Sequence, residues 1–300
     1  MPAFHFYCLS HFPLIYTSSF LSLLYESPIS VKLIGLKILS PGAACAGKST
    51  WADLRIVSRN EDPEKLKSRI TAYWAGQKDA WLAQRLAELH SPLGGAWRRE
   101  FETALPSGRP LRILDVGTGC GFFSIILSQM GHSCTGIDIT PEMIEGAKTL
   151  AGHEKAPADF LVMDAENLDF PDESFDAVVS RNLTWTLPHP ARGYSEWLRV
   201  LKKGGTILNF DADYGKEDLV AELDPLPKEH SHNMLDVAQL EECDAIKARL
   251  SISGADRPNW DLQVLLRLGC TLVSADMGAN ERINPKEGPF HNPMTVFNCG

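Results

Sequence analysis

Short apolar runs alternate with amphipathic segments from residue 109 onward, and this alternation predicts an α/β fold. The segments between the runs repeat apolar residues every three or four positions, as helices do. The predicted strands are 111–116, 133–139, 160–163, 175–180, 206–210, 271–276 and 294–298. Strands separated by helices imply right-handed crossovers and a mostly parallel sheet. We therefore predict a doubly wound, Rossmann-like sheet with helices on both faces.

Two helix-rich segments lie outside this alternation. Residues 58–108 carry two apolar stripes at helical spacing and predict an N-terminal helical cap. Residues 211–258 leave the sheet after a strand, at the edge where ligands bind in such folds, and predict a helical lid insertion. Residues 1–57 are expected to form a poorly ordered extension. The main domain is therefore predicted to span 58–300.

Composition and charge narrow the classes of protein and partner. With 44% hydrophobic and 22% charged residues the chain can bury a core, and a net charge of −9 disfavours a general nucleic-acid binder. The seven cysteines are scattered without a CxxC pair, as in a reduced, cytoplasmic protein. Residues 3–25 are uncharged but lack the basic start of a signal peptide, and Pro13 interrupts them. We expect no membrane anchor.

The segment LRILDVGTGCGFFSIIL, residues 111–127, is the most informative in the chain. Its glycines at 117, 119 and 121 allow a tight turn that can approach a ligand closely, just before a helix N-terminus. A dinucleotide fingerprint would need its third glycine at position 122, which is Phe. Asp115 places a carboxylate beside the turn, where it would repel a pyrophosphate but suit the ammonium group of a methionine moiety.

Two later carboxylates follow strands of the same predicted sheet. Asp138 ends the second strand, where an acidic residue can accept hydrogen bonds from both hydroxyls of a ribose. Asp164 follows the third strand, where a carboxylate can accept a hydrogen bond from the amino group of an adenine. Together with the glycine turn, these positions predict a nucleoside-containing ligand.

Four blocks, in order and spacing, resemble the class I S-adenosylmethionine-dependent methyltransferases: DVGTGCG, GIDIT, MDAENLDFPDESFDAVVSRN and RVLKKGGTILNFD. The resemblance covers roughly residues 68–298, and within the class the chain is most similar to the enzymes that act on small molecules. It implies a seven-stranded sheet whose last strand is antiparallel, S-adenosyl-L-methionine as the cofactor, and in-line methyl transfer to a small-molecule acceptor. The residues implied in cofactor binding are Asp115, Gly117, Thr118, Gly119, Gly121, Asp138, Ile139, Asp164, Ala165, Arg181 and Asn182.

Catalytic groups are less well marked than the cofactor residues. In this resemblance aromatic residues such as Tyr73 and Trp74 often close over the cofactor, and Trp185 follows the fourth strand. Asp211, Asp213 and Tyr214 leave the fifth strand at its ligand-binding end and could orient a substrate or accept a proton. Core packing or turn formation explains each of these residues about equally well.

Three alternatives compete with this interpretation. Gly42–Ser49 matches the phosphate-binding pattern GxxxxGK[ST], and residues 33–39 before it could form a strand, but no long helix follows. The domain could also bind the cofactor without catalysis. His230 and His232 could contribute to a metal site, but without a further ligand we expect none.

Overall fold

The computed structural model describes residues 36–38, 62–216, 237–276, 278–283 and 295–299. The strands are β1 Leu36–Ile38, β2 Arg112–Val116, β3 Ser133–Asp138, β4 Ala158–Val162, β5 Phe175–Arg181, β6 Leu201–Asp211, β7 Ser274–Asp276 and β8 Thr295–Cys299. The helices are α1 Pro63–Ala75, α2 Lys78–Leu89, α3 Pro92–Ala104, α4 Phe122–Gln129, α5 Pro141–Glu154, α6 Pro190–Val200, α7 Val237–Lys247, α8 Asn259–Arg267 and α9 Ala279–Ile283. All of them belong to one compact unit, Leu33–Gly300.

Five parallel strands form the centre of the sheet, in the order β4-β3-β2-β5-β6. Strand β8 pairs antiparallel with β6, as the family resemblance implies, and both β7 and β1 pair with β8. The described sheet therefore has eight strands, and the predicted number of seven is wrong. The additional strand is β1, which lies within the segment predicted to be a poorly ordered extension.

Alternate residues of the central strands face opposite helical layers. Leu114 of β2 packs in one core with Trp197 of α6, whereas its neighbour Ile113 packs in a second core with Trp97 of α3. All four side chains are fully buried. Because successive side chains of a strand point to opposite faces, two cores on one strand require helices on both sides of the sheet. The prediction of a Rossmann-like α/β fold is confirmed.

Helix α5 begins at the position that its sequence predicts. Thr140 is the N-cap and Pro141 the first helical residue. The Thr140 side chain makes no capping hydrogen bond; instead its backbone N–H donates to Oδ1 of Asp138 at 2.9 Å. The helix start is thereby tied to a carboxylate at the end of β3, which is one of the predicted ligand-binding residues.

Strand β6 differs from its prediction in length. The sequence predicts a turn at residues 202–205 followed by a strand, whereas β6 runs continuously from Leu201 to Asp211. Leu201 pairs with Phe175 of β5, and the next paired residues are Thr206 and Ala177. The predicted turn is therefore accommodated as a bulge within a longer strand.

Helices α1 and α7 share a hydrophobic cluster although they lie far apart in sequence. Leu66 and Ile70 of α1 pack with Ile246 of α7. These helices belong to the segments 58–108 and 211–258 that are predicted to form a cap and a lid. Residues 217–236 of the second segment, which include His230 and His232, lie outside the described residues.

Within the ranges that the structure describes, no helix combines the length and the apolar character needed to cross a membrane. Four cysteines of the described residues are free thiols, and all four are buried: Cys120, Cys134, Cys243 and Cys270. Residues 3–25 and the Gly42–Ser49 motif lie outside the described ranges, and the predictions made for them stay predictions.

Candidate functional site

A cleft opens at the carboxyl ends of β4, β3, β2 and β5. The chain runs from β2 outward to β3 and β4, then returns to continue on the other side with β5 and β6, so β2 and β5 flank the topological switch point. The cleft holds about 1080 Å³ of empty space, including open solvent at its mouth. All but one of the residues predicted to bind the cofactor line it: Asp115, Gly117, Thr118, Gly119, Asp138, Ile139, Asp164, Ala165, Arg181 and Asn182.

Asp115 organises the turn between β2 and α4. Its Oδ2 accepts hydrogen bonds from Thr118 Oγ1 at 2.6 Å, from Ser124 N at 3.0 Å and from Ser124 Oγ at 2.7 Å. Burial raises the pKa of Asp115 to about 6, although the hydrogen bonds from Thr118 and Ser124 favour the ionised form. The carboxylate therefore shapes the loop in addition to lining the cleft.

The three glycines of the turn have different surroundings. Gly119 has φ +52°, and a Cβ built there meets no atom within 4 Å. Gly117 has φ +68°, and its Cβ would approach the Leu183 side chain to 2.8 Å. At Gly121 a Cβ would lie 3.0 Å from the Phe160 ring. Gly119 alone of the three thus presents open space where a side chain would project.

Gly121 is not among the residues that line the cleft. It is buried between Phe160 and Ala147 and serves as the N-cap of α4, in a left-handed conformation with φ +85°. Its neighbour Cys120 lines the cleft instead. The alternating glycine pattern alone does not distinguish a residue that lines the cleft from one that lets a helix pack closely.

Asp138 lies at the end of β3 and is held by two backbone donors. Gly119 N donates to its Oδ2 at 3.0 Å, and Thr140 N donates to its Oδ1 at 2.9 Å. Burial raises the pKa of Asp138, and these hydrogen bonds partly offset that effect. One carboxylate thus connects the glycine turn, the end of β3 and the start of α5.

Asp164 forms an ion pair that the sequence did not predict. Lys67 of α1 places its Nζ 2.7 Å from Asp164 Oδ2 and 2.8 Å from Glu166 Oε2. Burial lowers the pKa of Lys67, but the two carboxylates outweigh it and the net shift is upward. Glu166 is fully buried, and its Oε1 accepts a hydrogen bond from the backbone N–H of His189. Helix α1 is therefore fastened to the β4 end of the cleft by charge.

Arg181 ends β5 and belongs to a buried cluster with two residues of α2. Glu88 accepts from Arg181 Nη1 at 3.0 Å and from Arg85 Nη1 at 2.5 Å, both on Oε2. Burial alone would raise the pKa of Glu88, but Arg181 and Arg85 hold it at about 2. Arg85 also lines the cleft. In the sequence, Arg85 is marked only by its position four residues after Trp81 in a predicted helix. That spacing is too common to indicate a site.

Asn182 follows Arg181 with a backbone conformation that is rare for a residue with a side chain. Its φ is +56°, in the left-handed region. Its Oδ1 atom is buried and makes no hydrogen bond with any described residue, although the side chain lines the cleft. Such strain and an unsatisfied acceptor are typical of ligand-binding positions.

The aromatic candidates are divided between the cleft and the core behind it. Trp74 and Trp81 line the cleft, with ring centroids 5.9 Å apart. Tyr73, Trp185 and Tyr214 are not among the lining residues and belong to a cluster with α7. Trp74 contacts Trp185 at 6.4 Å between centroids, so the wall of the cleft is supported from behind by this cluster.

Asp211 is fully buried and lies in an ion-pair network rather than at the cleft. Its Oδ2 accepts from the backbone N–H of Trp185 at 3.0 Å and lies 3.2 Å from Arg257 Nη1. Arg257 also pairs with Asp261 at 2.8 Å. Burial raises the pKa of Asp211 despite the neighbouring guanidinium. Asp213 is likewise absent from the cleft lining.

One group of described side chains has the chemistry of a metal site. His90, His153 and Glu154 bring three possible ligand atoms within 4.8 Å of one another at the protein surface. None of them lines the cleft.

Part of the sequence also matches known proteins. Residues 114–209 match the family model described as "Methyltransferase domain". The chain is 41% identical over 113 residues to phosphatidylethanolamine N-methyltransferase of Cereibacter sphaeroides, covering 37% of this chain and 55% of that protein. It is 36% identical over 113 residues to demethylmenaquinone methyltransferase of Clavibacter sepedonicus, covering 37% of this chain and 45% of that one. The chain thus spans about half the length of these curated relatives.

Solved structures also match part of the chain. A structure described as SAM-dependent methyltransferases from Methanosarcina mazei is 33% identical, covers 37% of this chain and 56% of that chain, and has a TM-score of 0.34. The matched region of the family model, 114–209, runs from β2 to β6 and contains all of the predicted cofactor residues.

Proposed function

We propose that this chain, whose residues 114–209 match a methyltransferase domain, is a class I S-adenosylmethionine-dependent enzyme that transfers the methyl group of S-adenosyl-L-methionine to a small-molecule acceptor. One observation carries the proposal: the residues that the motif marks for the cofactor, scattered from 115 to 182, come together on a single cleft at the switch point of the sheet. Its relatives support a small acceptor, because their names refer to a phospholipid amine and to a menaquinone precursor.

The chain's own groups suit this cofactor. A Cβ at Gly119 would enter open space in the cleft, so the loop leaves a cradle free of side chains beside Asp138. Asn182 Oδ1 is a buried acceptor without a partner among the described residues. Ribose hydroxyls and an ammonium group are donors, and these acceptors would satisfy them. When bound, the cofactor supplies an electrophilic methyl group on a sulfonium.

In this proposal the protein binds, orients and excludes water. Asp138 would accept the ribose hydroxyls and Asp164 the adenine amino group, while Asp115 faces the ammonium. Trp74 and Trp81 form an apolar wall of the cleft, which keeps water from the reacting atoms. Alignment of acceptor and donor in a closed cleft supplies much of the rate enhancement of a displacement reaction.

We propose a positioning role, rather than a catalytic one, for Asp211. It holds the backbone of Trp185, whose ring supports Trp74 from behind. Its carboxylate is engaged by Arg257 and has no exposure. Segments 58–108 and 211–258 are proposed as cap and lid because α1 and α7 pack together and α1 reaches the cleft through Lys67.

The test is methyl transfer from radiolabelled S-adenosylmethionine into small molecules. Purified protein is incubated with a deproteinised metabolite and lipid extract, and the products are separated by chromatography. We expect a labelled small molecule with wild-type protein and loss of the signal with Asp138→Ala. Cofactor binding without any labelled product across polar and lipid fractions would instead support a protein that binds the cofactor without catalysis.

A further inference from the structure

Two histidines and a glutamate meet where helix α2 ends beside the last turn of α5. His90 is the C-cap residue of α2, whereas His153 and Glu154 are the last two residues of α5. His90 Nε2 lies 2.9 Å from Glu154 Oε1, and His153 Nδ1 lies 2.8 Å from the same oxygen. Each residue offers one possible metal-ligand atom, and the three atoms all lie within 4.8 Å of one another. Two imidazole nitrogens and a carboxylate oxygen therefore converge on one point between two helices.

The helix ends that carry these three side chains are held in place by packing. Leu86 and Leu89 in the last turn of α2 pack against a buried apolar cluster that includes Leu150 of α5. The end of α5 is also joined to α4, because Gln129 Nε2 donates to the backbone carbonyl of Glu154 at 3.4 Å. The ligand atoms are thus positioned by packed helices, which hold a metal site more accurately than a free loop does.

The exposure of the three side chains suits an ion that arrives from solvent. The side chains of His90 and His153 are 60% and 64% exposed, whereas that of Glu154 is 12% exposed. In the part of the chain that the structure describes, no lysine or arginine forms an ion pair with Glu154. Its negative charge is therefore available to an added cation, and the open side of the two histidines leaves space for a water ligand.

The types of ligand atom and their spacing favour zinc over the alkaline-earth cations. Imidazole nitrogen suits Zn²⁺, Ni²⁺ and Cu²⁺, whereas Mg²⁺ and Ca²⁺ prefer oxygen ligands. Zinc bonds of about 2.0–2.1 Å place neighbouring ligands of a tetrahedron about 3.3 Å apart. The N–O separations of 2.9 and 2.8 Å are close to this spacing, and the exposed imidazoles need only a small rotation to reach it.

We propose that His90, His153 and Glu154 form a site for a divalent transition-metal ion, with Zn²⁺ as the favoured occupant, and that the ion joins α2 to α5. His90 binds it through Nε2 and His153 through Nδ1, because these nitrogens face the Glu154 carboxylate. Water takes the fourth position. None of the three residues lines the cleft, so the proposal does not rest on the proposed function. An ion that binds the folded chain alone stabilises the packing of the two helices.

The binding test uses full-length protein without a histidine tag, from which metals have been removed with a chelator. Zn²⁺ is titrated by calorimetry and its effect on thermal unfolding is measured, with Mg²⁺ as the comparison. We expect Zn²⁺ to bind and to raise the unfolding temperature, and Mg²⁺ to do neither at the same concentration. Co²⁺, which can replace Zn²⁺, should give the intense visible absorption of a four-coordinate ion.

Single substitutions test each ligand. His90→Ala and His153→Ala should each weaken Zn²⁺ binding by about 100-fold or more, because loss of a group that merely orients a ligand already costs about 10- to 100-fold. Glu154→Gln keeps an oxygen but removes the charge, and should weaken binding by about tenfold or more. The matched control is the double variant His230→Ala/His232→Ala, which removes the closely spaced histidine pair outside the described residues. It should leave the affinity within about twofold of the wild-type value.

The proposal is overturned if Zn²⁺ affinity and Zn²⁺-dependent stabilisation are the same in wild type, His90→Ala and His153→Ala. The three side chains would then only form hydrogen bonds with one another. A loss of binding in His153→Ala but not in His90→Ala would equally overturn the bridge between the helices. Circular dichroism of the metal-free variants checks that they fold. If a histidine variant does not fold, Glu154→Gln decides, and an unchanged Zn²⁺ affinity and Co²⁺ spectrum in that variant overturn the site.

Discussion

The backbone N–H of Gly119 donates to Oδ2 of Asp138 at 3.0 Å, which joins the turn after β2 to the end of β3. The other oxygen of the same carboxylate accepts from Thr140 N at the start of α5. Asp138 thus sets the conformation of the loop and also lines the cleft. A substitution there affects the ligand and the loop together, and the two effects can be separated.

Asp138→Ala should weaken S-adenosylhomocysteine binding by about 10- to 150-fold, the equivalent of roughly 1.5–3 kcal/mol for a charged hydrogen-bond acceptor. The same change leaves the N–H groups of Gly119 and Thr140 without their acceptor, so the ligand-free protein should also unfold at a lower temperature. Calorimetry and thermal denaturation measure the two effects. Asp138→Asn, which keeps one carbonyl oxygen, should show a smaller loss of both; unchanged affinity in Asp138→Ala would contradict the assignment.

Gly119→Ala should abolish most cofactor binding while costing the ligand-free protein only the strain of a left-handed residue, about 1–2 kcal/mol. The reason is that a Cβ at this position meets no protein atom within 4 Å and projects into open space. Gly117→Ala is the matched comparison, because its Cβ would also press on Leu183 at 2.8 Å. We expect the larger loss of unfolding free energy in Gly117→Ala. If Gly119→Ala still gains the full thermal stabilisation from S-adenosylhomocysteine, the turn is not the cofactor site.

Binding of S-adenosylhomocysteine should weaken as the pH falls below about 6, where Asp115 takes up a proton. The ammonium group of the ligand then loses its charged partner, and the affinity falls by up to about tenfold per pH unit. The sign for stability is opposite. Because the folded-state pKa of Asp115 lies above its unfolded value of 3.8, this group favours the folded state increasingly as the pH falls from about 6 to about 4.

Two controls isolate Asp115 from Asp138, whose pKa burial also raises. In Asp115→Asn the affinity for S-adenosylhomocysteine should no longer depend on pH in this range. In the wild type, 5′-methylthioadenosine has no ammonium group, so its binding should not follow the Asp115 titration. An equal fall in affinity for both ligands would assign the titration to Asp138 instead.

Arg257→Met should destabilise the fold by about 3–5 kcal/mol, because it leaves Asp211 and Asp261 buried without their counter-ion. Denaturant unfolding measures this. Asp211→Asn keeps the acceptor for the Trp185 N–H. It should therefore cost less stability than Arg257→Met and leave the affinity for S-adenosylhomocysteine within about twofold of the wild-type value. If Asp211 is a positioning residue, its replacement lowers turnover only as far as it disturbs the Trp74–Trp185 contact, and tryptophan fluorescence reports that disturbance. Complete loss of turnover with unchanged stability and fluorescence would instead support Asp211 as a base.

The central strands and most residues that line the cleft were predictable because their signals are local. The strand predicted at 111–116 is observed as Arg112–Val116 and is buried from Ile113 onward, and the glycines after it have the positive φ angles that the turn requires. Thr140 and Pro141 placed the start of α5 for the same reason. Each signal lies within a few residues of the structure that it specifies.

The unpredicted features of the site depend on contacts between distant segments. Lys67 and Glu88 lie on helices whose sequence pattern indicates only an amphipathic surface, and their partners Asp164 and Arg181 are 97 and 93 residues away. Gly121 fits the ligand-binding spacing but packs against Phe160, which no sequence window around the turn contains. The additional strand β1 pairs with β8 at the far end of the chain, so its place in the sheet could not be read locally.

The distribution of charge along the cleft gives it a direction. Asp138 lies at the β3 side, Asp164 at the β4 side is paired with Lys67, and Arg85 and Arg181 share Glu88 at the β5 side. Low-dielectric walls concentrate the field of such charges rather than dispersing it. The charged end of a ligand therefore meets a more positive field at the β5 side of the cleft than at the β3 side.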